Sequence, residues 1–386
     1  MTDVKKYLSD KIKTVPPSGI RKYFDMVMGM DDVISLGVGE PDFVTPWHIR
    51  EACIYSLEKG FTSYTSNSGL IELREAISDS FHNNYGVDYT PENQILVTTG
   101  VSEAADLALR ALVNPGDEVI LHEPCYVSYK PSIMLSGGTP VPVSTTRDNE
   151  FRLTGGQVEG AVTARTKAII LSYPNNPTGA VMRKQDLEEI ADVVVEHDLL
   201  VISDEVYDKL TYKGKHTCFS SLNGMEDRTI LLNGLSKSHA MTGLRVGYAM
   251  GPPGLISAML LIHQYTMLCA PITAQMGAIE ALENGEAEMQ AMVREYNRRR
   301  RFFVTGLNRL GLDCFEPRGA FYAFPSVEST GMTSSQFAEE LLHQQKVAVV
   351  PGVVFGQCGD GFLRCSYASG LDELKTALER IEEFLS

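Results

Sequence analysis

The stretch from Thr229 to Met250, TILLNGLSKSHAMTGLRVGYAM, decides how the rest of the sequence is interpreted. Its first apolar run predicts a buried strand that ends at Asn233 and Gly234, and Lys237 follows three residues later. A lysine at the end of a buried strand loses its proton easily, because burial lowers its pKa. Such a lysine can form a Schiff base with an aldehyde; the alternative is a structural lysine that caps a helix or pairs with a carboxylate.

The composition is that of a globular protein with a large core. The chain has 386 residues, of which 44% are hydrophobic and 22% charged, so we expect two or three domain-sized units. The net charge of −15 opposes nucleic acid or an anionic membrane as the main partner. No run approaches the ~18 apolar residues of a membrane span, and the N-terminus lacks a signal-peptide pattern. We expect a soluble, cytoplasmic protein.

The cysteines argue against a disulfide framework and against a zinc site. There are seven of them, an odd number, scattered along the chain without a CxxC pair. Reduced thiols in a cytosolic protein are the ordinary interpretation of such a pattern. We therefore expect no metal site and no structural disulfide.

From Gln94 onward, short apolar runs alternate with helical patterns. This alternation predicts an α/β fold with a mostly parallel sheet that is covered by helices on both faces. In such sheets, ligands bind beyond the carboxyl ends of the strands. The predicted strands are Ile95–Thr99, Glu118–His122, Val141–Ser144, Ala168–Ser172, Leu199–Ser203, Ile230–Asn233 and Val246–Met250, with an antiparallel direction possible for the last.

The last part of the chain predicts a second, smaller unit. Residues 312–386 alternate strands and helices on a smaller scale, with predicted strands at Phe321–Phe324, Val347–Val350 and Phe362–Ser366. We divide the chain into an N-terminal segment, 1–40, that packs with the small domain or a dimer partner, a large domain, 41–275, and a small C-terminal domain, 276–386.

Two motifs follow directly after predicted strands, at the edge where ligands bind. YPNNPTG (173–179) places Asn176 where it could donate to an oxygen anion, although a structural tight turn is the alternative. SDEVYDKL (203–210) places Asp204 at a strand end, where a buried carboxylate needs a cationic or hydrogen-bonding partner. Tyr207 points the same way if a helical turn begins there, and an ordinary helix N-cap is the alternative.

Two further motifs offer groups that bind anions. TTGVSEA (98–104) ends a strand in glycine at a helix start, where free N–H groups could bind phosphate. FLRCSYA (362–368) places Arg364 inside an otherwise apolar strand, where an unpaired guanidinium would be unfavourable. An internal Asp or Glu, or the carboxylate of a substrate, would explain that arginine.

Together these motifs resemble those of the class I/II aminotransferases in the pyridoxal-phosphate fold type I superfamily. The resemblance covers nearly the whole chain, from LGVGEPDF (36–43) to FLRCSYA, in the family's order, and PNNPTG, DEVY and SKxxxMTGxRxGY are highly specific in combination. It implies a pyridoxal 5'-phosphate enzyme similar to aspartate and aromatic aminotransferases. It also implies a mixed, mostly parallel seven-stranded sheet in a large domain, a smaller α+β domain, and a homodimer with shared active sites.

The resemblance implies roles for the residues around the cofactor ring. Lys237 would hold the cofactor as an internal aldimine and shuttle the proton at the substrate's Cα. Asp204 would keep the pyridine nitrogen protonated, which makes the ring an electron sink. Tyr207 and Asn176 would hydrogen-bond the phenolic oxygen, and Tyr126 would stack on the ring face.

The phosphate and the substrate have implied ligands of their own. For the phosphate, these are Arg245, the amides of Val101 and Ser102, and Tyr64 from the partner subunit. Arg364 would clamp the α-carboxylate, with Asn176 and the close backbone of Gly39 beside it. The sequence departs from the family at Gly234, where many members carry a phosphate-binding serine, and Ser236 is the candidate replacement.

The implied reaction is ping-pong transfer of an amino group from an L-amino acid to a 2-oxo acid, with 2-oxoglutarate as the acceptor. Aspartate is the first choice of donor; aromatic amino acids, alanine or kynurenine are alternatives, and a C–S lyase is a weaker one. An acidic donor needs a second cation, for which Lys13 and Arg21 are candidates. Ile20 and Phe355 could instead form an apolar wall for an aromatic side chain.

Two functions of other classes fit less well. A pyridoxal-phosphate-binding transcription regulator would need a basic DNA-binding domain ahead of the enzyme motifs, but these begin near residue 36 in an acidic chain. A nicotinamide dehydrogenase would need a GxGxxG turn between a strand and a helix, which the sequence lacks.

Overall fold

A computed structural model describes residues 4–386, so residues 1–3 of the predicted segment 1–40 lie outside it. The helices are α1 (Asp10–Thr14), α2 (Gly19–Val27), α3 (Trp47–Glu58), α4 (Ile71–Tyr85), α5 (Val101–Leu112), α6 (Tyr129–Ser136), α7 (Gly155–Glu159), α8 (Lys184–Glu196), α9 (Leu235–Ser238), α10 (Pro253–Thr266), α11 (Ile272–Asn284), α12 (Glu286–Arg309), α13 (Ser334–Gln345) and α14 (Leu371–Leu385). The strands are β1 (Ile34–Ser35), β2 (Ile95–Thr98), β3 (Glu118–Glu123), β4 (Thr139–Ser144), β5 (Thr166–Ser172), β6 (Leu200–Asp204), β7 (Thr229–Gly234), β8 (Gly247–Met250), β9 (Tyr322–Ala323), β10 (Val347–Ala348), β11 (Val350–Pro351) and β12 (Leu363–Ser366). None of the described helices is long and apolar enough to cross a membrane.

The largest sheet within the described residues has seven strands, in the order β2-β8-β7-β6-β5-β3-β4. The strands from β7 to β4 pair in parallel, whereas β8 runs antiparallel to both β2 and β7. This confirms the predicted α/β fold with a mixed, mostly parallel sheet.

Alternate side chains of the sheet pack on opposite helical layers. Leu96, Ile170 and Leu232 belong to an apolar cluster that includes residues of α5, α6 and α10. Leu231, one residue before Leu232, packs in a cluster with α4 and α11. The sheet is thus covered on both faces, which is why its central strands are near-continuous apolar runs.

The chain after α12 forms a smaller unit around an antiparallel sheet of order β11-β12-β9. The predicted single strand at Val347–Val350 is wrong: its halves are β10 and β11, which join different sheets. β10 pairs in parallel with β1, whereas β11 pairs with β12. A short apolar run could not reveal this split, because each half is defined by its partner strand and not by its own residues.

The N-terminal segment is attached to this smaller unit through the β1–β10 pairing. The N-terminal segment also contacts it at Gly19, where an added Cβ would lie 2.9 Å from Val354 Cγ1. The boundaries 1–40, 41–275 and 276–386 stay a prediction.

Strand direction brings several loops to one edge of the large sheet. β2, β5, β6 and β7 point the same way, because β8 is antiparallel to both of its neighbours. Their carboxyl ends and the start of β8 therefore lie along one edge. In a parallel sheet this edge is where ligands bind.

Gly247 shows how tightly this edge is packed. A Cβ added there would lie 2.5 Å from the backbone nitrogen of Val101 and 2.6 Å from the carbonyl carbon of Gly100. These neighbours are backbone atoms at the start of α5, so they cannot move aside by a change of rotamer. A glycine is therefore required where β8 passes the β2–α5 turn.

We predict that Gly247→Ala lowers the free energy of unfolding by about 1–3 kcal/mol, the usual range for overpacking. Urea unfolding of the purified variant measures this change. Gly254→Ala is the matched control, since a Cβ there meets nothing within 4 Å and the residue lies in α10. Equal stability of the Gly247→Ala variant and the wild type would contradict the packing described above.

Candidate active site

Lys237 lies in α9, the short helix that directly follows β7. Its Nζ donates a hydrogen bond of 2.7 Å to the carbonyl oxygen of Gly39 and lies 5.9 Å from the centroid of the Phe321 ring. Burial lowers the pKa of Lys237 to about 8; the nearby Glu40 raises it, and Arg364 lowers it further. A sizeable fraction of this lysine is thus neutral in a slightly alkaline solution.

Asp204 ends β6 and is almost fully buried. The hydroxyl of Tyr129 donates to Asp204 Oδ2 at 2.7 Å, and the Val206 N–H donates to Oδ1 at 3.2 Å. Burial raises the pKa of Asp204 to about 6, against the lowering effect of these two donors. The carboxylate would be stabilised by a cation placed beside it.

Tyr207 and Asn176 lie where the strand-end loops meet the smaller unit. The hydroxyls of Tyr207 and Tyr322 are 2.9 Å apart. Asn176 Oδ1 accepts a hydrogen bond of 3.1 Å from Arg364 Nη1. Arg364 thus contacts Asn176 directly and is connected to Tyr207 through Tyr322, and Asn176 and Tyr207 are both buried.

Arg364 is a buried cation without a carboxylate partner among residues 4–386. Its side chain is 2% exposed, and Nη2 donates to the carbonyl oxygen of Gly37 at 2.5 Å. The rings of Tyr322 and Phe355 lie 4.8 and 4.9 Å from its Cζ. Its buried Nε has no hydrogen-bond partner within the described residues. Among residues 4–386 its hydrogen-bond acceptors are thus neutral oxygens, and no Asp or Glu there pairs with it.

A concentration of hydrogen-bond donors surrounds the start of α5. The N–H groups of Val101 and Ser102 have no acceptor in the described part of the chain, as expected for the first turn of a helix. The guanidinium of Arg245 lies over Gly100, where an added Cβ would be 2.5 Å from Nη2. Arg245 itself has a φ of 58°, which is unusual for a residue with a side chain and frequent at functional sites.

The departure at Gly234 has a steric reason. A Cβ at this position would lie 3.0 Å from both Gly247 Cα and Val101 Cγ2. β7, β8 and α5 are thus packed too closely for a serine without a shift of its neighbours. Ser236 is buried two residues further on, and its role at the phosphate stays a prediction.

Two predicted aromatic residues differ in their placement. Tyr126 is half-buried, and its ring packs edge-on against Tyr129 with the centroids 5.7 Å apart. Tyr64 lies between α3 and α4 and is 82% exposed in the single chain. Its predicted contact is with the partner subunit, so its exposure in one chain is expected.

The sequence did not single out two residues that contact the predicted site. Tyr129, the partner of Asp204, follows Tyr126 in YVSY, and a second tyrosine one helical turn later was the available signal. Tyr322 lies in a short apolar strand and looked like a core residue. Its contacts with Tyr207 and Arg364 in the folded chain place it at the predicted site.

Comparison with known proteins gives the family. Residues 31–381 match the family model "Aminotransferase class I and II". The chain is 54% identical to YugH of Bacillus subtilis, whose name gives it only as an aminotransferase, over 98% of both chains. It is 46% identical to an aspartate aminotransferase of Pyrococcus abyssi, also over 98% of both. The structure of an aromatic aminotransferase from Pyrococcus horikoshii matches with a TM-score of 0.90 and 44% identity, covering 95% of this chain and 98% of that one.

The chain belongs to the class I and II aminotransferases, which use pyridoxal 5'-phosphate. The predicted family, activity and cofactor are thereby confirmed. The residues present fit this cofactor: unbonded N–H groups at Val101 and Ser102 suit a phosphate. The buried carboxylate of Asp204 suits a protonated ring nitrogen.

We predict opposite effects of Asp204→Asn on stability and on cofactor affinity. The folded pKa of about 6 exceeds the ordinary 3.8, so this carboxyl favours folding below about pH 4 and loses that effect as the pH rises through 6. The cofactor-free variant should therefore gain stability relative to wild type between pH 4 and pH 7, by on the order of 2 kcal/mol. It should bind pyridoxal phosphate more weakly, since the anion is lost.

Chemical unfolding across this pH range and equilibrium dialysis with pyridoxal phosphate measure the two effects. Asp79→Asn is the control, because Asp79 is an exposed carboxylate on α4. A parallel loss of stability and affinity in Asp204→Asn would show that the carboxylate is only structural.

Proposed function

We propose that Lys237 is the residue to which the cofactor is joined and the base that moves the substrate's Cα proton. Pyridoxal phosphate supplies an aldehyde that reacts with amines and a ring that accepts electrons from Cα. The lowered pKa of Lys237, about 8, supports both roles, since each requires the neutral amine. The carbonyl oxygen of Gly39 orients the amine through its hydrogen bond.

Groups at the common strand edge hold the rest of the cofactor in this proposal. Asp204 pairs with the ring nitrogen, while Tyr207 and Asn176 donate to the phenolic oxygen and Tyr126 packs on the ring. The phosphate ligands are Arg245, Ser236, the amides of Val101 and Ser102, and the partner subunit's Tyr64. The shared edge of β2, β5, β6 and β7 supports this assignment, because it brings the motifs of four separate loops together.

The unpaired guanidinium of Arg364 is the observation that carries the substrate assignment. A buried arginine without an acidic partner is unfavourable unless an anion joins it. An α-carboxylate can accept two parallel hydrogen bonds from it. Asn176 and the backbone near Gly39 lie beside the guanidinium, so this carboxylate would be fixed close to Lys237.

We propose aspartate as the preferred donor and 2-oxoglutarate as the acceptor. The Pyrococcus abyssi relative, an aspartate aminotransferase, supports the donor. Both compounds carry a second carboxylate, which needs a cation. Of the two candidates, Lys13 pairs with Asp10 at 2.9 Å, whereas the Nε of the largely exposed Arg21 is 3.8 Å from Asp25. Arg21 is the better candidate, because its α2 neighbour Gly19 packs against the loop that carries Phe355.

Aromatic amino acids are the second candidate donors, and a specific contact favours them. Phe355 and Tyr322 enclose Arg364, so the clamp lies among aromatic rings. An aromatic substrate side chain would find an apolar wall at Phe355 and the neighbouring Val354. The aromatic aminotransferase of Pyrococcus horikoshii supports this alternative.

We predict that aspartate converts the bound cofactor to its pyridoxamine form faster than tyrosine, alanine or kynurenine. Each amino acid is mixed separately with the purified holoenzyme, and the loss of the cofactor's visible absorbance is followed. The Lys237→Ala variant should show neither turnover nor the lysine-dependent absorbance band. Faster conversion by tyrosine would select the aromatic alternative, and turnover by Lys237→Ala would refute the central assignment.

We propose that the enzyme is a cytoplasmic homodimer with shared active sites that acts in amino acid biosynthesis. The exposed Tyr64 supports the dimer, because a phosphate ligand from a partner must be accessible on the free chain. Tyr265 and Trp47, 83% and 57% exposed, are further large apolar side chains that such an interface would cover. The unpaired cysteines among the described residues fit a reducing compartment.

We also propose that the chain is divided at about residues 40 and 275.

We predict that mixing two impaired variants restores activity if the sites are shared, when the assay uses a limiting cofactor concentration at which each variant alone is nearly inactive. Tyr64→Phe should weaken cofactor binding, and Lys237→Ala should abolish turnover. In a heterodimer, one site has both replacements, while the other combines the intact Lys237 of one chain with the intact Tyr64 of its partner. Dimers re-formed from an unfolded equimolar mixture should thus regain about a quarter of wild-type activity by random pairing. No recovery, or a monomer in light scattering, would contradict the proposal.

A further inference from the structure

Tyr322 contacts both halves of the proposed site although it belongs to neither. It lies in β9, is fully buried, and pairs with Ser366 in β12, the strand that carries Arg364. Its hydroxyl is 2.9 Å from the Tyr207 hydroxyl at the end of the large sheet. Its ring lies 4.8 Å from the Cζ of Arg364. One side chain thus joins the large unit to the small one.

The hydroxyl contact has a defined direction once the cofactor is bound. This step rests on the proposed function, in which the Tyr207 hydroxyl donates a hydrogen bond to the phenolic oxygen of the cofactor. The oxygen of Tyr207 is then the acceptor, and Tyr322 must be the donor. Burial raises the pKa of both tyrosines, so each hydroxyl stays protonated and can donate a hydrogen bond.

The position of the hydroxyl also depends on Gly39. A Cβ added to Gly39 would lie 2.7 Å from the Tyr322 hydroxyl oxygen, so a side chain there would displace it. Gly39 is the residue whose carbonyl oxygen accepts from Lys237. The glycine of LGVGEPDF therefore allows Tyr322 and Lys237 to approach the same backbone segment.

The ring contact concerns the carboxylate clamp. Arg364 lies between Tyr322 and Phe355, each ring within 5 Å of its Cζ. Aromatic faces attract a guanidinium and limit the directions in which it can turn. Nη1 and Nη2 each donate one hydrogen bond to a protein oxygen, while Nε has no partner among the described residues, so Nε–H and the second N–H of a neighbouring amino group can bind a carboxylate.

We propose that Tyr322 is a positioning residue that aligns Tyr207 through its hydroxyl and Arg364 through its ring. The two functions use different parts of one side chain, so substitutions can separate them. A core tyrosine that only fills space would show neither effect.

The test measures the pH dependence of the bound cofactor's visible absorbance in holoenzyme variants. Tyr207→Phe should raise the pKa of this absorbance change. A phenolic oxygen that accepts fewer hydrogen bonds carries more negative charge, so the cofactor holds the proton beside that oxygen more tightly. Tyr322→Phe should raise it in the same direction by a smaller amount, roughly 0.3–0.7 pH unit. The double variant should match Tyr207→Phe alone, since Tyr322 acts through Tyr207.

Steady-state kinetics and dialysis test the ring. Tyr322→Phe keeps the ring, so KM for the amino donor should stay within about twofold of wild type. Tyr322→Leu removes the ring contact and should raise KM by roughly tenfold, within the range of a desolvated cation–π contact. The dissociation constant of pyridoxal phosphate should rise in Tyr207→Phe and, less strongly, in Tyr322→Phe.

Tyr296→Phe is the control. Tyr296 is another buried tyrosine, packs on Phe321, and has a hydroxyl without a hydrogen-bond partner among the described residues. Its substitution should leave the absorbance pKa and KM unchanged. Additive shifts in the double variant, or wild-type values in Tyr322→Phe and Tyr322→Leu, would overturn the inference. They would leave the proposed role of Lys237 intact, which the Lys237→Ala result tests separately.

Discussion

The arrangement of the site depends on one buried charge, the guanidinium of Arg364. It has no acidic partner among the described residues and is held by carbonyl and amide oxygens and by two aromatic rings. Neutral acceptors and aromatic rings compensate the desolvation of a buried cation only partly, so a ligand anion would stabilise this guanidinium further. In the proposed function a substrate carboxylate is that anion, which would account for an arginine in a strand that is otherwise apolar.

Burial acts on both central titratable groups of the site in the direction of the neutral form. It lowers the pKa of Lys237 and raises that of Asp204. In a protein without a ligand, a buried lysine and a buried carboxylate at one edge of the sheet would not stabilise the fold. The family to which the chain belongs binds a cofactor with a reactive carbonyl and a basic ring nitrogen, and in the proposed function this cofactor uses both groups.

In the proposed function, different parts of the molecule bind the cofactor and select the substrate. Most of the proposed cofactor residues come from the carboxyl edge of the large sheet, whose geometry follows from strand order. The side chains proposed to lie near the substrate come from β12, from the loop with Phe355, and from α2. These are short elements of the smaller unit and the N-terminal segment, which can change without disturbing the sheet. Relatives of similar identity accordingly include both aspartate and aromatic aminotransferases.

The sequence by itself determined the fold class, the seven main strands and the residues at their ends, because apolar runs and specific motifs are local signals. It could not decide that Val347–Val350 splits between two sheets, since strand pairing depends on distant partners. Only the tertiary structure showed that Arg364 lacks an acidic partner among residues 4–386, that Tyr129 donates to Asp204, and that Tyr322 contacts Tyr207. All three findings depend on which distant segments of the chain meet in space, and no local sequence pattern encodes that.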